Sequence, residues 1–138
     1  MTFSLMVGGG DLVQQGSQLG IVYGTSKLKQ DLTLWMTERY GIDRFHPKMG
    51  SNFQNYIGGI ISYHTQAMVS SEADRILDNY QKVQQLGLRQ APSLYSLDEL
   101  MSSINFVNVS IAYDSVTVAV SVSNAVQQPT TIQVSQGA

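Results

Sequence analysis

The residue types that most often perform chemistry are scarce in this chain. It contains no cysteine, which excludes disulfides, a thiolate nucleophile and a cysteine-based zinc site. Its only two histidines, His46 and His64, lie far apart and form no His-x-x-x-His or His-Glu arrangement that would place two metal ligands on one helix face. We therefore predict no metal site, and we interpret each histidine as a loop or capping residue.

Two carboxylates are the remaining candidates for acid–base chemistry. Glu38 and Asp43 flank the end of a predicted helix, where a pair of carboxylates could act as general acid and base. A solvated helix end with Arg39 and Arg44 as partners explains them more simply. The glycines at 8–10 precede no Lys-Ser or Lys-Thr, so they form no phosphate-binding loop. The sequence therefore predicts no catalytic residue and no cofactor.

The composition indicates one domain with few charges. The chain has 138 residues, of which 43% are hydrophobic and only 13% are charged. A charge-poor surface is typical of a protein packed against neighbours, although a surface of Gln, Ser, Thr and Asn would give the same composition. The net charge of −2, with eight scattered Lys and Arg residues, argues against nucleic-acid binding. We expect neither a secretion signal nor a membrane span.

Residues 1–24 are rich in glycine and contain one charged residue, Asp11. This composition predicts an extended or loosely ordered N-terminal arm. Within it, Leu19, Ile21 and Tyr23 alternate with other residues, which is compatible with one short strand.

Two amphipathic helices are predicted after the arm. The first begins at a cap formed by Thr25 or Ser26, and Gly41 is placed to end it in a left-handed conformation. Its apolar stripe consists of Leu28, Leu32, Trp35, Met36 and Tyr40. A short helical turn follows at Phe53.

The second helix is predicted from about Val69 to Leu86, with a capping box formed by Ser71 and Asp74 and a stop at Gly87. Whether residues 64–68 belong to it is left open. Its apolar stripe consists of Ala73, Ile76, Leu77, Tyr80 and Val83. A further turn is predicted after Ser96.

From Ile104 onward the apolar period changes from helical spacing to two, which predicts three strands. One face of the first strand carries Val107, Val109, Ile111 and Tyr113, and one face of the second carries Val116, Val118, Val120 and Val122. Asp114 and Ser115 are predicted to form the turn between them, and a third strand is predicted at 130–135. No ionisable residue lies between Ser115 and Ala138, whereas exposed sheet edges are usually guarded by charge. Pro129 and the neighbouring glutamines are an alternative form of protection.

The predicted fold class is therefore α+β. Two main amphipathic helices pack on a C-terminal antiparallel three-stranded β-meander, and the extended N-terminal arm occupies 1–24. Residues 25–138 form a single domain. The predicted core, shared with the meander, consists of Leu28, Leu32, Trp35, Ile76, Tyr80 and Val83.

Two short segments carry a resemblance to a known family. They are residues 28–32 (Leu-Lys-Gln-Asp-Leu) with Trp35, and residues 48–53 (Lys-Met-Gly-Ser-Asn-Phe) followed by Ile57-Gly58. Together with the order of elements over 26–138, they resemble the baseplate wedge and sheath-initiator family of contractile-tailed phages, which has relatives in type VI secretion. Here Met49 precedes the glycine and Phe53 takes the place of a leucine. The Glu-Pro-Arg triplet of many members is absent from 88–106.

The resemblance implies a structural subunit, not an enzyme, in the tail baseplate of the virion. Its partners would be the tail sheath protein and other baseplate wedge, hub and tube proteins, with about six copies per ring. The meander would template sheath polymerisation by β-strand addition. The predicted partner-binding residues are Val116, Val118, Val120, Val122, Thr131, Ile132, Gln133 and Val134. A glycan-cleaving tail enzyme and a small adaptor module are the alternatives.

Overall fold

The computed structural model describes residues 3–8, 11–57 and 62–137. Helix α1 spans Gly24–Thr37 and helix α2 spans Tyr63–Gln90. Six short strands precede α1: β1 (Phe3–Leu5), β2 (Val7–Gly8), β3 (Asp11–Leu12), β4 (Gln14–Gln15), β5 (Gln18–Leu19) and β6 (Ile21–Tyr23). Three long strands follow α2: β7 (Met101–Ala112), β8 (Ser115–Asn124) and β9 (Pro129–Gly137). Short 3-10 helices lie at Phe53–Tyr56, Pro92–Leu94 and Leu97–Glu99.

The core lies between the two α-helices and one face of the C-terminal sheet, which we define as β7, β8 and β9. The strand order is β7-β8-β9 and both pairings are antiparallel. Helix α2 packs against β7, and helix α1 packs against β9. The largest fully buried side chains are Phe53, Leu28, Leu32, Met36, Ile76, Leu77 and Ile132.

The predicted fold class is wrong in its N-terminal part, because residues described between 3 and 23 form strands and not an arm. The molecule is a mixed α/β structure with two α-helices, three small two-stranded sheets and one three-stranded antiparallel sheet among its described residues. Pairing is β1 with β6, β2 with β3 and β4 with β5, all antiparallel. We call these six strands the N-terminal junction.

Three backbone hydrogen bonds close the centre of the junction. The N–H of Met6 donates to the carbonyl of Gly20 (2.8 Å), that of Gly20 to Val13 (2.7 Å), and that of Val13 to Met6 (2.9 Å). Gly20 is buried there, and a Cβ atom would lie 3.2 Å from both the Met6 Cβ and the Val13 carbonyl oxygen. The glycine spacing that predicted an extended or loosely ordered arm is thus partly explained by close backbone packing. Gly9 and Gly10 lie outside the described residues.

Helix α1 starts and ends earlier than predicted. It begins at Gly24, so Thr25 and Ser26 lie in its first turn and do not cap it. Its C-cap is Glu38, whose carbonyl oxygen accepts a hydrogen bond from the Ser51 N–H (2.8 Å). This hydrogen bond joins the helix end to the loop that follows α1, and the helix therefore ends before Gly41.

Helix α2 is longer than predicted at both ends. Ser62 is its N-cap and accepts a hydrogen bond from the Thr65 N–H (3.3 Å). Ser71 and Asp74 lie in its interior, so they form no capping box. Gly87 does not end the helix, and a Cβ atom there would collide with the Tyr95 hydroxyl. The close approach of Tyr95, and not a helix terminus, therefore explains why a glycine stands at position 87.

One residue of the α2 stripe that was predicted to lie in the core is not buried. Val83 is 38% exposed, and the position one turn beyond Tyr80 is occupied by buried Gln84. The other five predicted core residues are buried. Tyr40 was also placed on a buried stripe, but it lies past the end of α1, is 44% exposed, and packs under the Arg75 guanidinium.

The predicted turn after Ser96 is present. It is the 3-10 helix Leu97–Glu99, and Ser96 and Glu99 form a capping box. The predicted hairpin turn is displaced by one residue: Tyr113 and Asp114 form it, and Ser115 already belongs to β8.

Candidate partner-binding edges of the C-terminal sheet

The register of the C-terminal sheet determines which backbone groups face its outer edges. Ala112 and Ser115 pair directly across a two-residue turn, so they exchange both backbone hydrogen bonds. Hydrogen-bonded and non-hydrogen-bonded pairs then alternate along the ladder. On β7 the backbone groups of Val107, Val109 and Ile111 consequently point away from β8.

The same alternation applies to the pairing of β8 with β9. The residues of β8 that do not bond to β7 bond to β9, and they pair with Thr130, Ile132, Val134 and Gln136. The N–H and C=O groups of Thr131, Gln133 and Ser135 therefore point to the outer edge of β9. Their side chains are exposed on the face of the sheet opposite the helices.

The eight predicted partner-binding residues fall into three groups. The four valines of β8, Val116, Val118, Val120 and Val122, lie in the middle strand, with buried side chains and backbone groups that bond to β9. Ile132 and Val134 also have buried side chains and bond to β8. Only Thr131 and Gln133 combine exposed side chains with backbone groups directed outward. The valines support the edges from within the core.

The two outer strands differ in regularity. The pairing of β7 with β8 has register shifts between Met101 and Ser103 and between Ile104 and Phe106, which indicate bulges. Bulges twist an edge and discourage further pairing. The pairing of β9 with β8 is continuous from Pro129 to Gly137. The β9 edge is therefore the more regular of the two.

Neither outer strand has a charged side chain that would prevent pairing with another strand. The strands are 12, 10 and 9 residues long and contain no Asp, Glu, Lys, Arg or His. In the described part of the chain, no further strand pairs with either outer edge. Such edges are suited to strand addition. Pro129 lies at the first position of β9, where it leaves the rest of the edge unobstructed.

The first segment that carries the family resemblance fastens the N-terminal junction to α1. The Gln30 amide donates to the Leu5 carbonyl (2.8 Å) and accepts from the Val7 N–H (3.0 Å). The Asp31 carboxylate accepts from Lys27 Nζ (2.6 Å). Leu28 and Leu32 are buried in the core. The polar residues of this segment therefore have positioning roles that helical periodicity does not reveal.

Asp31 also reaches α2. The Tyr80 hydroxyl donates to Asp31 Oδ2 (3.2 Å), and the Tyr80 ring packs edge-on against Trp35 at 5.4 Å. Burial raises the pKa of Tyr80, and the nearby Asp31 carboxylate raises it further. The hydroxyl is therefore held neutral as a hydrogen-bond donor.

The Gln84 side chain similarly hydrogen-bonds α2 to the start of the C-terminal sheet. Its side-chain carbonyl accepts from the Met101 N–H (2.8 Å), and its amide donates to the Glu99 carbonyl (2.7 Å) and the Tyr80 hydroxyl (3.1 Å). This role is not apparent from the sequence, because a glutamine beside an apolar stripe is normally interpreted as solvent-exposed. Its spacing of four residues from Tyr80 is the only sequence signal.

The second segment with the resemblance locks the loop after α1. Ser51 is fully buried, and its hydroxyl donates to the Met36 carbonyl (2.8 Å). Gly50 has φ of 104° and lies against the Arg39 backbone, so it has no room for a side chain. The Arg75 guanidinium donates to the Gly50 carbonyl (2.9 Å). Phe53 lies in the core. Gly58 lies outside the described residues.

The acid–base candidates lie at the surface. Glu38 and Asp43 both border a shallow depression beside the end of α1. Asp43 Oδ1 accepts from the Phe45 and His46 N–H groups, and Oδ2 lies 3.5 Å from His46 Nδ1. The bond from the Phe45 N–H is the main cause that lowers the pKa of Asp43. This geometry is that of a loop-capping aspartate.

His64 is exposed in the first turn of α2. Within residues 3–8, 11–57 and 62–137, no three His, Asp or Glu side chains are grouped as metal ligands. Neither described α-helix has an apolar stretch long enough to cross a membrane. No known family model matches the chain, and no curated protein matches it.

Proposed function

We propose that the chain is a structural baseplate subunit of a contractile phage tail, in the virion, where it templates sheath polymerisation. The observation that supports this most strongly is the unguarded, regular outer edge of β9. The resemblance of residues 28–32 and 48–53 to the sheath-initiator family supplies the identity of the partner. Other baseplate wedge, hub and tube proteins would hold the subunit in a ring of about six copies.

The proposed mechanism is strand addition at β9. An extended arm of the sheath protein pairs with the outward backbone groups of Thr131, Gln133 and Ser135. Each backbone hydrogen bond contributes about 0.5–1.5 kcal/mol net, so several in register are needed for stable docking. The exposed side chains of these residues fix the register of the added strand. The buried valines of β8 hold the template on the core.

Gln133→Pro tests this mechanism directly. Proline removes the outward N–H at 133 but leaves the β8 ladder intact, because that ladder uses the backbone of the adjacent residues. We expect tails assembled with this variant to show baseplates and tubes without extended sheath by electron microscopy. Gln133→Ala is the matched control, since it loses the side chain but keeps the N–H. It should retain extended sheath, because Thr131 and Ser135 still have the side chains that fix the register.

Val109→Pro distinguishes the two edges. It removes an outward donor from β7, and we expect normal sheath because the β7 edge is bulged. Sheath lost with Val109→Pro and retained with Gln133→Pro would assign the template to β7. Sheath of normal length with both variants, each verified by mass spectrometry to be in the particles, would refute strand addition at this sheet.

The alternatives are separated by simple measurements. An enzyme would clear a turbid suspension of bacterial cell walls, and we expect no clearing. Replacing Glu38 by Gln together with Asp43 by Asn should leave particle infectivity near normal at unchanged stability. An adaptor would be absent from purified tails, whereas a template subunit should be present there in ring stoichiometry. Cell-wall clearing that Glu38→Gln with Asp43→Asn abolishes would restore the enzyme interpretation.

A further inference from the structure

The N-terminal junction presents a continuous apolar face to solvent. Directly paired residues point to the same side of a sheet, as do alternate residues along a strand. The pairs Phe3–Tyr23, Leu5–Ile21 and Val7–Leu12 therefore share one side. Leu19 joins them through its alternation with Ile21, together with its uncharged polar partner Gln14. We define this apolar face as Phe3, Leu5, Val7, Leu12, Leu19, Ile21 and Tyr23.

All seven side chains are substantially exposed, from 36% for Val7 to 65% for Phe3. Together they leave on the order of 600 Å² of apolar surface in contact with water, at the upper limit for patches on monomeric proteins. On the opposite side, Met6 and Val13 are less exposed and Gly20 is buried at the centre, whereas Asp11, Gln15 and Gln18 toward the hairpin turns are exposed. The junction therefore exposes its apolar side chains, whereas a surface sheet ordinarily has polar residues on its solvent side.

The apolar face is held in place and is not a loose segment. The Gln30 amide bonds to the backbone of Leu5 and Val7, and the Ser4 hydroxyl lies 3.5 Å from Asp31 Oδ1. Both partners belong to α1, which is part of the core. The junction thus presents its apolar side chains from a fixed platform, which lowers the entropy cost of docking.

We propose that this apolar face binds the same face of a second copy of the chain, forming a two-fold symmetric dimer. Two such faces would bury about 1,200 Å² in total, which is the lower limit for a specific interface. The face contains no Asp, Glu, Lys, Arg or His, so two identical copies meet without repulsion between like charges. Sheet-on-sheet packing about 10 Å apart accommodates side chains of this size.

Charge favours a second copy over a lipid surface. A peripheral membrane site normally combines apolar residues with Lys or Arg around them. The only charged residue in residues 1–24 is Asp11, which an anionic membrane would repel. The proposal is independent of the tail function, because the dimer would form between purified chains in the absence of any other protein.

The test is sedimentation velocity of the purified full chain over a range of concentrations. We expect a concentration-dependent monomer–dimer equilibrium. Ile21→Lys and Leu12→Lys place a charge on the apolar face of both copies, and each should raise the dimer Kd at least about tenfold. Phe45→Lys is the matched control, since Phe45 is 90% exposed but lies in the loop after α1. It should leave the Kd unchanged.

Cross-linking provides a second measurement if a lysine variant misfolds. Because the natural chain has no cysteine, single-cysteine variants give unambiguous products. We expect a short bismaleimide to link at least one of Leu5→Cys, Leu12→Cys and Leu19→Cys into dimers, and not to link Phe45→Cys.

Three results would each overturn the proposal. They are a wild-type chain that stays monomeric at all concentrations, equal weakening by Phe45→Lys and Ile21→Lys, and flotation of a monomeric chain with neutral phosphatidylcholine vesicles. The last result would identify the occupant as lipid.

Discussion

The N-terminal junction and the C-terminal sheet are both antiparallel and almost free of charge, yet they offer opposite chemistry to a partner. The junction pairs its central backbone groups and exposes apolar side chains. The C-terminal sheet buries its apolar side chains against two helices and leaves backbone groups at its edges. The comparison shows that helix packing against a sheet decides which groups the sheet exposes to a partner. The composition of its strands does not decide this.

Each region is fastened to a helix by a glutamine that bonds to strand backbone. Gln30 on α1 bonds to Leu5 and Val7 of the junction, and Gln84 on α2 bonds to Met101 at the start of β7. Gln84 is buried, whereas the bonds made by Gln30 are exposed. We therefore expect the C-terminal fastening to contribute more to global stability, and the predictions below test this asymmetry.

The largest expected effect comes from the core beneath the C-terminal sheet. Trp35→Ala removes a side chain that is 7% exposed and packs edge-on against Tyr80. We expect a loss of about 3–5 kcal/mol in the free energy of unfolding, measured by denaturant melts. A loss under about 1 kcal/mol would show that this position is not part of the cooperative core.

The same substitution, isoleucine to alanine, can be made once in each region to compare their contributions to stability. Ile132 of β9 is 1% exposed, whereas Ile21 of the junction is 47% exposed. Ile132→Ala should cost about 2–5 kcal/mol, and Ile21→Ala about 0.5 kcal/mol or less when measured under monomeric conditions. Equal losses in denaturant melts would mean that the junction face is buried in solution, and the comparison would fail.

Apolar periodicity predicted the helices and the C-terminal strands. It did not predict where the helices end or how the N-terminal strands pair. The two helices and three C-terminal strands follow from apolar spacing, because each has one face in the core. The strands of the junction were not predicted, because its glycines outweighed the alternation of Leu19, Ile21 and Tyr23. The end of α1 was missed because Glu38 bonds to Ser51, a tertiary contact with no local signal.

The candidate site was predictable only in part. The uncharged strands after Asp114 indicated open edges, but strand order and register decide which residues lie there. β8 became the middle strand, so its valines are enclosed, and only the alternation along β9 identifies Thr131 and Gln133 as outward-facing. The positioning roles of Gln30 and Gln84 were also invisible, because a polar residue on a helix is usually solvated.

The two glutamines provide the third test. Gln84→Ala leaves the Met101 N–H and the Glu99 carbonyl without their partner in a buried position, which should cost about 1–3 kcal/mol. Gln30→Ala should lower global stability by less than about 1 kcal/mol but increase amide hydrogen exchange at Leu5 and Val7. Unchanged exchange at those two residues would show that the junction is held by other contacts.

The smallest expected effect concerns Tyr80, which links the two regions. Its hydroxyl accepts a hydrogen bond from Gln84 and donates one to Asp31. Its raised pKa means that the unfolded chain loses the tyrosine proton first as the pH increases. The stability from this group is therefore complete below the unfolded pKa of about 10 and falls above it, by up to about 1.4 kcal/mol per pH unit. We expect wild-type melts between pH 9 and 11 to show a steeper decline than those of Tyr80→Phe, which retains the ring. Parallel declines in the two proteins would show that the Tyr80 hydroxyl is not held neutral by the fold, and the link between the regions would then lie elsewhere.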